Sequence, residues 1–261
     1  MRRRTVTAAV SGVLITAAAA VFAIAGTGTA NAIANGEPVP DGQYRFSVKL
    51  VMTGIPTASG GKRNSGCSGA LIARQWIITA GHCFRDANGV RVERPVADST
   101  LATIGRADTT GTGGYDLEVV AVRQSPTADV SIAKLASPVR GIKPLKISDT
   151  PPEPGDVLRL TGYGSVTSTN PVPETRLRTG QLSVLTVEES IIGVEGFAPE
   201  ENTTPCPYDS GGPFFVEQRW RAPKLVSVVS NGPSCPHTEQ ESSARVDNLK
   251  DWIEDSIKTA A

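Results

Sequence analysis

The sequence is short of several residue types at once. Only two of its 261 residues are histidine and four are cysteine, and no Cys/His spacing resembles a zinc ligand set. It has no excess charge of either sign, with 26 basic and 26 acidic residues. The first 32 residues carry three arginines and no acid, so without them the balance becomes 23 against 26, a net charge of −3. Nothing basic enough remains to suggest a nucleic-acid partner. No internal repeat is visible, and no helical periodicity is sustained between the first 32 residues and the last fifteen. The apolar fraction of 39% is nevertheless ample for a buried core, which argues against disorder and fits one large β domain or two small ones.

What is present begins with Arg2-Arg3-Arg4, an apolar run over roughly 8–24, and small residues ending in Ala30-Asn31-Ala32. This reads as a secretory signal over residues 1–32. An uncleaved membrane anchor is the competing reading, since the run approaches the ~20 residues of a spanning helix. The small-residue end favours cleavage. Beyond it come short β-type runs punctuated by Gly and Pro: Phe46 to Leu50 alternates, and further runs lie around Trp76-Ile77-Ile78, Val157 to Leu160 and Leu225 to Val229. An all-β fold is expected. Prolines between residues 142 and 155 suit a connector and would break a strand. At the end, Leu249, Trp252, Ile253 and Ile257 fall at i, i+3, i+4 and i+8, which predicts one amphipathic helix over about 247–258 with Asp247 as its cap.

Three segments carry the chemistry: Thr79-Ala80-Gly81-His82-Cys83, Asp129 within Ala128-Asp129-Val130-Ser131-Ile132-Ala133, and Cys206-Pro207-Tyr208-Asp209-Ser210-Gly211-Gly212-Pro213. A serine hydroxyl is nearly inert near neutral pH. It needs an imidazole to take its proton and a carboxylate to fix that imidazole's tautomer and stabilise its cation. Asp129 sits among Val130, Ile132 and Leu135, and an acid in so apolar a frame requires a partner. Asp108 and Asp116 compete less well because they lie in Gly/Thr-rich sequence.

From Ile33 to the terminal helix, these motifs and their His, Asp, Ser order resemble the trypsin/chymotrypsin family of serine peptidases. The resemblance implies two six-stranded antiparallel β-barrels, one over 33–146 with His82 and Asp129 and one over 147–261 with Ser210 and the helix. It implies a secreted, monomeric endopeptidase without cofactor or metal, acting on protein or peptide substrates, with a protein protease inhibitor as a conceivable second partner and no membrane association once the signal is removed. It selects the disulfides Cys67–Cys83 and Cys206–Cys235 from the three pairings that four cysteines allow. It also assigns the oxyanion hole to the amides of Tyr208 and Ser210. A new N-terminus at Ile33 would place its ammonium beside Asp209 and order the site, and because Ile33 directly follows Ala32, signal cleavage alone would produce it. Such a pair would lose activity at alkaline pH, and protonation of His82 would remove it at acid pH.

Two departures from the family pattern leave questions open. The family has glycine where Tyr208 stands, and a side chain there disfavours positive φ. Either the Tyr208 amide turns away, leaving a weak enzyme or a binding protein on a protease scaffold, or the local backbone accepts tyrosine. The pocket base, six residues before Ser210, is Thr204 rather than the aspartate of trypsin-like members, and the wall is Ser230-Asn231-Gly232. A deep Glu241 would draw a basic side chain and an inward His237 an acidic one. With both solvated on a surface loop, uncharged side chains of medium to large size are preferred. An esterase of the α/β-hydrolase type is disfavoured, since both the Gly-x-Ser-x-Gly elbow and the Ser, Asp, His order are missing.

Overall fold

The structure, a computed structural model, describes residues 33–217 and 220–259. The secretory-signal reading of residues 1–32 lies outside them. Fourteen strands and one helix follow a short entry segment: β1 (Glu37–Pro38), β2 (Ser47–Pro56), β3 (Lys62–Ala73), β4 (Trp76–Ala80), β5 (Ser99–Ile104), β6 (Tyr115–Gln124), β7 (Val130–Leu135), β8 (Lys146–Ile147), β9 (Val157–Gly162), β10 (Arg178–Val187), β11 (Ile191–Ala198), β12 (Pro213–Val216), β13 (Lys224–Asn231), β14 (Glu241–Arg245) and α1 (Lys250–Thr259). Strands β2-β3-β4-β7-β6-β5 close one antiparallel barrel. The second closes as β9-β10-β11-β14-β13-β12, because β9 pairs with both β10 and β12. The all-β, chymotrypsin-like architecture expected from the sequence is therefore observed.

Alternation drives this closure. In β2 the residues Val48, Leu50 and Met52 are buried while Val51 is exposed, so one face enters the barrel core. The second barrel is filled from the same kind of pattern by Leu158, Leu160, Leu182, Val184, Ile192 and Val194.

The two ends of the described chain cross between the barrels. Ile33 is fully buried in the core of the second barrel, and β1 adds to β10 there. Burying a side chain of that size stabilises by about 2 kcal/mol. At the other end, Leu249 and Ile253 of the terminal segment join the core that fills the first barrel. The helix face matches the expected spacing, but Asp247 is not its cap. A 3₁₀ turn (Asp247–Leu249) precedes α1, and the Asp247 carboxylate takes two bonds from Arg245, 2.8 and 2.9 Å long, leaving no side-chain bond to the helix amides.

Candidate active site

His82 and Asp129 meet because they leave the ends of neighbouring strands. β4 and β7 are antiparallel with Ala80 opposite Val130, so the residue just before β7 faces the turn just after β4. That turn is a 3₁₀ helix (Gly81–Phe84), fixed by the Gly81 amide on the Asp129 carbonyl (3.0 Å) and tethered by the Cys67–Cys83 disulfide. The Asp129 carboxylate accepts three hydrogen bonds, from the His82 amide at 2.9 Å, the His82 ring Nδ1 at 2.7 Å and the Ser230 hydroxyl at 2.8 Å. Burial alone would push its pKa up. The bonds from His82 and Ser230 outweigh that and hold the carboxyl below its ordinary value. With Nδ1–H donating to the carboxylate, Nε2 is left as an acceptor. The other acids considered are engaged elsewhere: Asp116 lies in β6 and pairs with Arg106, and Asp108 accepts bonds from Thr110.

Ser210 reaches the same cleft from the second barrel, in the turn before β12. His82, Cys83, Tyr208 and Ser210 line one cavity between the barrels. The turn is held on both sides: the Ser68 amide in β3 bonds the Ser210 carbonyl (2.9 Å), and the Gly211 amide bonds the Val229 carbonyl (2.8 Å). Gly211 has φ +82°, and a Cβ there would stand 2.0 Å from Thr79 Oγ1, so only glycine fits. The Cys206–Cys235 bridge anchors the loop leading to the serine. Both disulfides thus match the pairing that the resemblance implied.

Tyr208 adopts φ +76°, a left-handed conformation that tyrosine rarely takes. Its carbonyl accepts the Ser68 hydroxyl at 3.1 Å, and the preceding Pro207 carbonyl accepts the Ser165 amide at 2.8 Å. The Pro207–Tyr208 peptide is trans, so a carbonyl pinned toward Ser165 turns the Tyr208 N–H the opposite way. Neither the Ser165 anchor nor the Ser230 bond to Asp129 was found from sequence. The first joins two loops of the second barrel, and the second reaches from β13 across to the first barrel.

Asp209 is wholly buried and points inward. Its carboxylate receives the Gly164 amide (2.8 Å) and the Cys206 amide (3.0 Å), and Ile33 also donates its backbone N–H. Burial raises its pKa to about 7 against these bonds, and the negative charge of Glu241 adds to the rise. The two members of the expected activation pair are therefore already in contact while Ile33 is still mid-chain.

Beside Ser210 opens a cavity of about 350 Å³ whose lining includes Ser230, Asn231 and Gly232. Its floor differs from expectation. Thr204 is fully buried outside the lining, its amide bonded to the Ala34 carbonyl at 3.2 Å and its hydroxyl sealed without a partner among the described residues. Glu241 lines the cavity instead, and the placement of His237 and Glu241 on a solvated loop is corrected. Glu241 begins β14 opposite Val194, with only 3% of its surface exposed, and His237 packs against it at 2.7 Å.

The profile of the Trypsin family matches residues 33–253. The chain belongs to the trypsin family. Human Trypsin-3 is 27% identical over 213 residues, which is 74% of this chain and 66% of that protein. Beta-fibrinogenase-like from Daboia siamensis is 26% identical, covering 74% of this chain and 78% of its own length. Serine protease 56 of Mus musculus is 25% identical over 86% of this chain, which spans only 38% of that relative. Among solved structures, mouse neuropsin, a serine protease, superposes with a TM-score of 0.67 at 17% identity, covering 86% of this chain and all of its own, a likeness of fold. The likeness, at the level of the family, is to serine proteases.

Proposed function

We propose that this trypsin-family chain is a secreted serine endopeptidase whose nucleophile is Ser210. The observation that carries the reading is the carboxylate of Asp129, bonded to both the ring and the amide of a histidine that shares its cleft with Ser210. His82 Nε2 takes the Ser210 proton as Oγ attacks the scissile carbonyl carbon, and passes that proton to the leaving amine as the acyl-enzyme forms. Water, activated by the same imidazole, then releases the acyl group and restores Ser210. The Ser210 and Tyr208 amides hold the oxyanion. The direction of the Tyr208 N–H supports a formed hole, worth about 2.7–4 kcal/mol per donor in the transition state, and weighs against an inactive scaffold.

Export through residues 1–32 would leave Ile33 as the first residue, its ammonium replacing the amide now beside Asp209. The barrels over 33–146 and 147–261 are the units between which the cleft forms, and protein or peptide chains are the substrates. No helix among the described residues is long and apolar enough to cross a membrane. The test is hydrolysis of denatured casein by protein starting at Ile33. Cleavage that disappears in Ser210→Ala, with an unchanged melting temperature, is the expected result, and a wild type that leaves casein intact contradicts the proposal.

A further inference from the structure

The cavity beside Ser210 contains one ionisable side chain among the residues that line it, and that residue is Glu241. Its setting is unusual for a carboxylate. One oxygen, Oε1, is 2.7 Å from Nε2 of His237. The other ring nitrogen of His237, Nδ1, accepts the Glu239 amide at 3.1 Å, so the ring carries its proton on Nε2 and is a neutral donor. Oε1 therefore accepts, and the pair keeps one negative charge. His237 fixes the direction of the carboxylate without neutralising it.

The second oxygen occupies the space in front of the pocket wall. A Cβ on Gly232 would stand 1.8 Å from Oε2, so glycine is needed at that position for the carboxylate to reach the cavity. Among the described residues no side chain donates to Oε2, and no lysine or arginine lines the cavity. A buried charge without a counter-ion is unfavourable. What the cavity lacks is a cation, and a substrate side chain lodged beside Ser210 is the group that can bring one.

We infer that Glu241 is the specificity-determining residue of this site and that it selects lysine or arginine on the acyl side of the scissile bond. Thr204 leaves the usual base position neutral, and Glu241 supplies the charge from a different strand, β14. The inference rests on the endopeptidase reading above, and the experiment separates the two. Protein starting at Ile33 is counted by fluorophosphonate titration, which requires the nucleophile but no charged side chain. It is then given matched peptide amides with Arg, Lys, Gln or Leu at the residue before the cleaved bond. Arg and Lys should exceed Gln by about 100-fold in kcat/KM, the range of a hydrogen bond to a charged group, and the Arg-to-Leu ratio should fall by a similar factor in Glu241→Gln. In parallel, benzamidine should bind the Ser210→Ala protein, with affinity lost when Glu241→Gln is added. Equal cleavage of Arg and Gln by fully titrated wild type, or benzamidine binding indifferent to Glu241, overturns the inference while leaving the nucleophile intact. Absence of titration with benzamidine still bound through Glu241 overturns the endopeptidase reading alone.

Discussion

Ser230 illustrates how a single hydroxyl extends the site beyond the three residues of the motif. It donates the third bond to the Asp129 carboxylate, so Ser230→Ala should lower kcat/KM about tenfold, the equivalent of one such bond. Asp129→Asn removes the acceptor that sets the imidazole tautomer and should cost about 10⁴-fold in kcat. Steady-state kinetics on both variants distinguishes the two roles. Tyr208 offers a sharper comparison. If its amide already faces the oxyanion, Tyr208→Gly changes kcat by less than about threefold, whereas a collapsed hole would make glycine restore the hundredfold or more that one donor contributes. At this scale the sequence was legible where short motifs name their residues, at His82, Asp129 and Ser210. Glu241 was not legible, because its burial comes from pairing opposite Val194 and from a histidine four residues earlier, and neither leaves a periodic signal in a Pro/Ser-rich loop.

Strands and turns decide whether these residues can work together. The adjacency of β4 and β7 brings His82 and Asp129 together, and alternation within the strands was readable before the fold was known. The entry segment was less so, since two residues of β1 carry no pattern and their place on β10 depends on Ile33 entering the second core. That placement has a pH consequence. In the unprocessed chain Asp209 has a folded pKa of about 7, above the ordinary carboxyl value of about 3.9. The folded state thus holds a proton that the unfolded state releases. The contribution of Asp209 to stability is fully present below about pH 4 and is lost as pH rises toward 7, by on the order of 4 kcal/mol. Melting curves of unprocessed Ser210→Ala protein should show this loss between pH 5 and 7. Protein starting at Ile33 should be spared it, because the ammonium pairs with the carboxylate until it deprotonates near pH 8. Equal pH profiles for the two forms would contradict the pairing.

At the scale of the whole molecule, two barrels are clasped by each other's ends: Ile33 in the second core, and Leu249 and Ile253 in the first. The resemblance announced the barrels, but this exchange is a property of the closed fold. The two disulfides lie beside the cleft, one joining β3 to the turn that bears His82, and close spans of 16 and 29 residues. Replacing Cys206 and Cys235 together by serine should destabilise by about 3–4 kcal/mol from loop closure. Activity should fall below what the stability loss explains, because the same bridge holds the loop bearing Tyr208 and Ser210. Thermal melts and kinetics at a permissive temperature separate these effects. The convergence of residues 82, 129 and 210 at the cleft is the central claim. Its most direct test is peptide mass mapping of protein starting at Ile33 after reaction with a fluorophosphonate. Stoichiometric adduct on Ser210, abolished by His82→Ala, is predicted. An unmodified Ser210, or an adduct that forms equally well without His82, would contradict the account.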